Sequence, residues 1–156
     1  MRALFALSVL ALAACSEGGD PAPPQSEPPK PAPVLAGVDL SKPVRALGTE
    51  PFWSVELTGA EIVYTTPEPP AQRAPQPATV VQGTTATYET ETADGTPLSV
   101  TLVATECSDG MSDRIYPMTA LVRVGALALN GCAASSAAVM STGESGPVVE
   151  KAQPAA

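Results

Sequence analysis

Acid/base chemistry in this sequence would depend on paired carboxylates, because the chain contains no histidine. Asp109 and Asp113 lie four residues apart, shortly after Cys107, and Arg114 follows them as a positive partner. Two carboxylates act as general acid and general base only where burial moves their pKa values apart. The serines and glycine around this pair are typical of a solvated turn in which Asp and Ser bind local amides. We favour the turn over a carboxylate-dependent cell-wall hydrolase.

The absence of histidine also excludes Ser-His-Asp and Cys-His nucleophiles and the usual histidine-bearing zinc sites. Asp109 and Asp113 could ligate calcium, but Asp-x-x-x-Asp lacks the dense acidic spacing of an established calcium loop. We therefore predict no metal site, no cofactor and no enzymatic activity.

The N-terminus is typical of an export signal. Arg2 precedes an apolar run over residues 3–12 that is too short to span about 30 Å of hydrocarbon. The following Leu12-Ala13-Ala14-Cys15 resembles the lipobox of bacterial lipoproteins, which implies a signal peptide over residues 1–14 and a lipid on the Cys15 thiol. An ordinary secretory signal with an unmodified Cys15 is the alternative.

Several buried acyl chains anchor a protein stably, since each methylene contributes about 0.8 kcal/mol. By the sorting rule known for such lipoproteins, Ser16 in place of Asp implies the outer membrane, with the domain facing the periplasm or exposed on the surface. Lipidation of Cys15 leaves Cys107 and Cys132 as a pair in an oxidising compartment. We predict that they form a disulfide, which contributes about 3 to 4 kcal/mol.

The composition excludes nucleic acid as a partner. There are 16 acidic and 8 basic side chains, and the formal net charge is -8. The negative phosphate backbone of a nucleic acid is attracted to a positively charged protein surface, and the charge of this chain has the opposite sign. A basic protein is compatible with this charge, although acidity also simply confers solubility.

Proline and glycine divide the mature chain into three parts. Residues 15–37 are rich in proline and predict an extended tether, with a ligand for proline-recognition domains as the alternative. Residues 38–138 form one domain, and residues 139–156 predict a disordered tail. Inside the domain, residues 66–79 contain five prolines and predict a long excursion that is not a strand.

Within the domain, apolar residues recur with a period of two, which is typical of β-strands. Alternating runs flank Asp94-Gly95 and Gly125, so each of these sites predicts a β-hairpin. About six to eight short antiparallel strands result. We predict an all-β fold, a small antiparallel β-barrel or tight sandwich with one disulfide, because closure removes bare edges.

The two adjacent aromatic residues are predicted to lie on opposite faces of one strand. Trp53 alternates with Val55 and Leu57, which favours core packing over a ligand-stacking platform. Phe52 faces outward, either as a contact surface or beneath the prolines of the excursion. Met111 is interpreted as a core plug, a side chain that fills a gap in the core, in preference to an adaptable contact with a partner.

A set of short motifs resembles a family of bacterial envelope lipoproteins whose biochemical role is unknown. The motifs are Gly48-Thr49-Glu50-Pro51-Phe52-Trp53, Cys107-Ser108-Asp109-Gly110-Met111-Ser112-Asp113, Tyr116-Pro117 and Gly131-Cys132, in that order. The resemblance implies an exported β-rich protein with the two late cysteines paired. It also draws attention to a candidate binding loop: Ser108, Asp109, Met111, Ser112, Asp113, Arg114 and Tyr116.

A looser resemblance is to the membrane-bound inhibitors of c-type lysozyme, which are small lipid-anchored β-barrels with a disulfide. Their loop contains a Ser and, four residues later, a Tyr, as do Ser112 and Tyr116 here. Arg114 lies one position earlier than the pattern places a basic residue, and Phe52-Trp53 is early in this chain, whereas the inhibitors' Phe-Trp pair is late. We rank a non-catalytic binding or accessory role first, lysozyme inhibition second and the hydrolase third.

Overall fold

The computed structural model describes residues 31–150 and confirms the all-β class. The predicted signal peptide, Cys15 and nearly all of the predicted tether lie outside these residues. The described chain contains thirteen strands and one helix: β1 (Val34–Leu35), β2 (Val38–Asp39), β3 (Val44–Thr49), β4 (Phe52–Leu57), β5 (Glu61–Thr65), β6 (Gln72–Pro75), β7 (Val80–Gln82), β8 (Thr85–Glu91), β9 (Pro97–Val103), β10 (Asp113–Ile115), β11 (Met118–Val124), β12 (Leu127–Ser135), α1 (Ser136–Ser141) and β13 (Ser145–Pro147).

Nine of these strands form one antiparallel sheet in the order β6-β5-β4-β3-β12-β11-β9-β8-β7. The sheet is curled into a half-barrel. Both predicted hairpins are present, β8 with β9 and β11 with β12, and Gly95 (φ +80°) and Gly125 (φ +57°) lie at their turns. Positive φ at these turns is the conformation for which glycine is suited.

Period-two alternation places the main core on one face of the sheet. In β4, Trp53, Val55 and Leu57 are buried, whereas Phe52, Ser54 and Glu56 on the other face are not. The same alternation buries Leu98, Val100 and Leu102 of β9. Each fully buried side chain of this size contributes about 1.5 to 3 kcal/mol, so the core depends on this register.

A second, smaller core lies on the opposite face of β3 and β12. Its buried members are Tyr116, Cys132, Ala134, Ala138, Val139 and Val148. The helix α1 packs here, and it begins where the Ser135 hydroxyl accepts a hydrogen bond from the Ala138 N–H (3.2 Å). This N-cap satisfies one of the free amides of the first turn.

The structure corrects the predicted tail and the predicted start of the domain. Residues 139–148, assigned to a disordered tail, complete α1, form β13 and end with the fully buried Val148. Leu35, assigned to the tether, is 3% exposed and belongs to the main core. Both errors have the same cause: the few apolar side chains of each segment lie among Gly, Pro and Ser and show no sustained period, but one or two of them are enough to dock a short segment.

The proline-rich excursion also contains a strand. β6 pairs with β5 and lies at the edge of the sheet. Proline is tolerated there because the outer N–H groups of an edge strand have no ladder partner. β6 (4 residues) and β7 (3 residues) are the short edge strands that bring the sheet to nine strands, where the sequence predicts six to eight. No helix in residues 31–150 is long and apolar enough to cross a membrane.

Candidate functional site

The predicted binding loop is held at its base by covalent and backbone bonds. Cys107 forms the predicted disulfide with Cys132 in β12. The backbones of Cys107 and Tyr116 exchange two hydrogen bonds, with N···O distances of 3.0 and 2.8 Å. Residues 108–115 therefore form a loop closed at its two ends, and the disulfide ties that loop to the centre of the sheet.

The Asp109 carboxylate organises the interior of this loop. Its Oδ1 accepts the backbone N–H groups of Met111 (3.0 Å) and Ser112 (2.8 Å). Its Oδ2 accepts the hydroxyls of Ser112 (2.7 Å) and Tyr116 (3.2 Å). Four donors on one carboxylate make this the Asp and Ser turn that the sequence predicts.

These bonds determine the protonation state of Asp109. Desolvation by itself raises the pKa of a carboxyl, but the hydrogen bonds from Ser112, Met111 and Tyr116 outweigh it and hold the pKa of Asp109 below its ordinary value. A general acid requires the opposite shift. Asp113 is exposed, and its backbone pairs with Ser145 of β13. The structure thus gives the two carboxylates separate environments, and that of Asp109 is structural.

The C-terminal segment braces the other side of the loop. β13 pairs in parallel with β10, and the Val148 N–H donates to the Ile115 carbonyl (2.8 Å). The Arg114 guanidinium donates to the carbonyls of Thr142 (2.9 Å) and Gly143 (2.7 Å). Arg114 is therefore engaged in holding the C-terminal segment in place.

Tyr116 is 1% exposed, so it is a packing residue whose hydroxyl is directed at Asp109. Burial raises the pKa of Tyr116 above its ordinary value. The chain re-enters the sheet directly after Tyr116-Pro117, where β11 begins at Met118.

Two apolar side chains project from this region into solvent. Met111 is 69% exposed, so its interpretation as a core plug is wrong: the loop is already filled by the hydrogen bonds to Asp109, and Met111 lies at the tip. Phe52 is 55% exposed and points outward, as the alternation predicts. It lines a groove beside Pro67 but remains largely uncovered.

A contact between Thr49 and the loop separates two grooves. The Thr49 hydroxyl donates to the Asp109 carbonyl (2.9 Å). One groove, of about 460 Å³, contains Glu50 and Met111 in its walls. The other, of about 420 Å³, contains Phe52 and Arg114. Gly48, Thr49 and Asp109 line both grooves, so Glu50, Phe52 and Met111 border two adjoining grooves.

Exposed carboxylates lie on the loop and on the segments beside it. Glu50 and Asp113 are exposed, and the side chain of Glu144 is 94% exposed although it lies 3.9 Å from Arg114. An ion pair this exposed contributes little stability, so Glu144 presents its charge to solvent. The loop and the segments beside it therefore present both exposed apolar side chains and exposed carboxylates.

Trp53 is a core residue, as predicted, and sequence reasoning missed the glycines that make room for it. A Cβ on Gly48 would lie 2.2 Å from the Trp53 Nε1, and a Cβ on Gly131 would lie 2.8 Å from its Cζ2. The Nε1 itself is buried and has no hydrogen-bond partner in the described chain. A glycine inside an otherwise alternating strand is the signal that could have indicated this close approach.

No family model, curated protein or solved structure matches this chain. The two family resemblances described for the sequence therefore stay predictions. Within residues 31–150, no group of three or more Cys, Asp or Glu side chains is arranged to hold a metal ion.

Proposed function

We propose that this protein is a non-catalytic binding module of the bacterial cell envelope that recognises a basic protein partner. Binding takes place on a surface made of Glu50, Phe52, Met111, Asp113 and Glu144, which we call the loop surface. The observation that carries this proposal is an exposed apolar tip on a loop whose interior polar groups are already bonded to each other.

Rigidity supports a binding role for this loop. Ordering a mobile loop on association costs free energy, and a loop that is already ordered avoids that cost. The disulfide, the Asp109 bonds and the Arg114 contacts keep the backbone of residues 108–115 in place before any partner arrives. Met111 (69% exposed) and Phe52 (55% exposed) then offer apolar area that is largely uncovered in the described chain.

Charge supports a basic partner. The loop surface carries three carboxylates, and the chain as a whole has a formal net charge of -8. A field of this sign accelerates encounter with a positively charged protein and suppresses acidic competitors.

The N-terminal motif supports an envelope location. We propose that Cys15 carries a lipid that anchors the chain in the outer membrane, that residues 16–30 belong to the tether, and that the domain faces the periplasm. The Cys107–Cys132 disulfide fits an oxidising compartment of this kind.

Inhibition of c-type lysozyme is a narrower form of the same proposal. It is favoured by the three carboxylates of the loop surface, since the partner it requires is basic. The resemblance behind it depends on Ser112 and Tyr116, whose hydroxyls both bind Asp109. We therefore expect any contact with lysozyme to involve Met111 and Phe52. The Asp109 carboxylate accepts four hydrogen bonds within the loop and its pKa is lowered, so it gives no support to a hydrolase that needs a general acid.

The test uses the full chain with an affinity tag, cross-linked in intact envelopes and purified. We expect one stoichiometric, basic partner that is released as salt concentration rises. Phe52→Ser and Met111→Ser should each weaken its binding about tenfold, because a central apolar anchor contributes on the order of 1 to 2 kcal/mol. Leu127→Ser and Met140→Ser are the matched controls, since these side chains are also exposed (47% and 75%) but lie outside the loop surface.

Equal binding by all four variants would contradict the assignment of the loop surface. Recovery of no stoichiometric partner would contradict the binding role itself. Lysozyme inhibition is tested by adding the same preparations to c-type lysozyme and following cell-wall lysis. Undiminished lysis at a large molar excess of this protein would exclude inhibition.

A further inference from the structure

The two edges of the nine-stranded sheet differ in how they are protected. β6 ends in Pro75, and its Arg73 forms an ion pair with Glu61 at 2.9 Å. Proline and charge are two devices that keep an edge from pairing with another chain. β7 at the other edge reads Val80-Val81-Gln82 and contains neither.

β7 is also exposed along its whole length. Val80 is 53% exposed, Val81 is 38% exposed, and Gln82 is also exposed. Within the described chain, β8 is the one strand that pairs with β7. A groove of about 650 Å³ runs beside the strand and is lined by Pro77, Val80 and Gln82, among others.

The register shows which backbone groups of β7 are free. Gln82 and Thr85 pair across a two-residue turn whose first residue is Gly83 (φ +58°). Residues flanking such a turn form a hydrogen-bonded pair, and hydrogen-bonded and non-hydrogen-bonded pairs alternate along an antiparallel ladder. Val81, the next residue along, therefore directs its N–H and C=O away from β8, toward the free edge.

We propose that β7 is a self-pairing edge through which two copies of this chain form an antiparallel dimer. With a two-fold axis at Val81, the free N–H and C=O of Val81 bond those of Val81 in the second copy. Val80 then lies opposite Gln82 of the second copy, and Gln82 opposite its Val80. The three-residue edge is complementary to itself, as a two-fold interface requires.

Charge favours a second copy at this edge over other places on the surface. Two chains of formal net charge -8 repel each other. Residues 74–88 contain no charged side chain, so β7 itself brings no carboxylate to the contact, and the nearest one that lines its groove is Glu89 of β8. Higher salt should therefore strengthen the dimer, the opposite of its effect on the acidic loop surface.

A proline at position 81 tests the proposal sharply. Val81→Pro removes the one N–H that β7 offers to a second copy and leaves the β7–β8 bonds of Val80 and Gln82 in place. We expect the full wild-type chain, purified in detergent, to form dimers whose fraction rises with concentration and salt, as measured by light scattering. Val81→Pro and Val81→Lys should be monomeric at least tenfold above the concentration at which the wild type is half dimeric.

Matched substitutions distinguish this contact from general loss of structure. Val149→Lys changes another exposed valine (52%, against 38% for Val81) away from β7 and should leave the dimer intact. Val81→Cys in intact envelopes should be joined to its own copy by a short thiol cross-linker, whereas Leu127→Cys should not. A monomeric wild type, or Cys at position 81 cross-linked to a different protein, overturns the proposal, and the second result assigns β7 to a strand of another partner.

Discussion

Asp109 illustrates how a residue whose type suggests chemistry can have a structural role. Its carboxylate accepts four hydrogen bonds, which stabilise the ionised form and organise the loop. Asp113, four residues later, is exposed and has no such partners in the described chain. The same residue type thus has two different roles within one loop.

Replacing these two carboxylates separately measures the difference. Asp109→Ala leaves two backbone N–H groups without acceptors, so we expect a loss of about 1 to 3 kcal/mol in the free energy of unfolding. Asp113→Ala should change it by less than about 0.5 kcal/mol. Chemical denaturation of the full chain checks both values, and equal effects would contradict the structural role of Asp109.

The pH dependence of the same variants follows from the pKa of Asp109. That pKa is depressed in the folded protein, so the stabilising effect is present above the unfolded value of about 3.9 and is lost as pH falls through the folded value. The difference between wild type and Asp109→Ala should be constant near neutral pH and shrink below about pH 4. A difference that grows in acid would contradict this assignment.

At the scale of elements, the three neighbouring strands β4, β3 and β12 position the loop surface. Gly48 and Gly131 let the Trp53 indole lie against the backbone of these strands. In the register of β3 against β12, Cys132 lies opposite Leu47 and directly follows Gly131. Cys107 forms its disulfide with Cys132 at this position. Packing around Trp53 and attachment of the loop are therefore coupled.

Gly131→Ala tests this coupling. Its Cβ would lie 2.0 Å from the Leu47 carbonyl oxygen, which is backbone and cannot move aside as a flexible side chain could. We expect a loss of at least about 2 kcal/mol in the free energy of unfolding and a shift in the emission of Trp53, the one tryptophan in the chain. Gly143→Ala, where a Cβ meets nothing within 4 Å, should change neither measurement. Similar stability of the two variants would contradict the close packing.

At the scale of the whole molecule, three parts of the chain have different proposed roles. The loop surface carries three carboxylates and two exposed apolar side chains, β7 is an uncharged edge, and the chain N-terminal to the domain carries the proposed lipid. Their chemistry differs, so salt is expected to weaken binding at the loop surface and to strengthen pairing at β7. Anchoring would raise the local concentration of copies and assist a modest self-association.

Cys15→Ser tests the anchor for the whole molecule. Without the thiol no lipid can be attached, so the variant should remain a precursor or appear in the soluble fraction, while the wild type sediments with the outer membrane. Fractionation followed by mass measurement of the N-terminal peptide distinguishes these states. A soluble wild type with an unmodified Cys15 would favour the ordinary secretory signal instead.

The sequence by itself determined the period-two strands, both hairpins, the faces of Phe52 and Trp53, the disulfide and the Asp109 turn. Each of these depends on residues close together in the chain, or on the pairing of the two remaining cysteines. Only the tertiary structure decided the exposure of Met111, the burial of Val148, the strand inside the prolines and the space that Gly48 and Gly131 leave for Trp53. These four features depend on which parts of the chain, distant in sequence, lie opposite each residue. The local pattern of residue types does not contain that information.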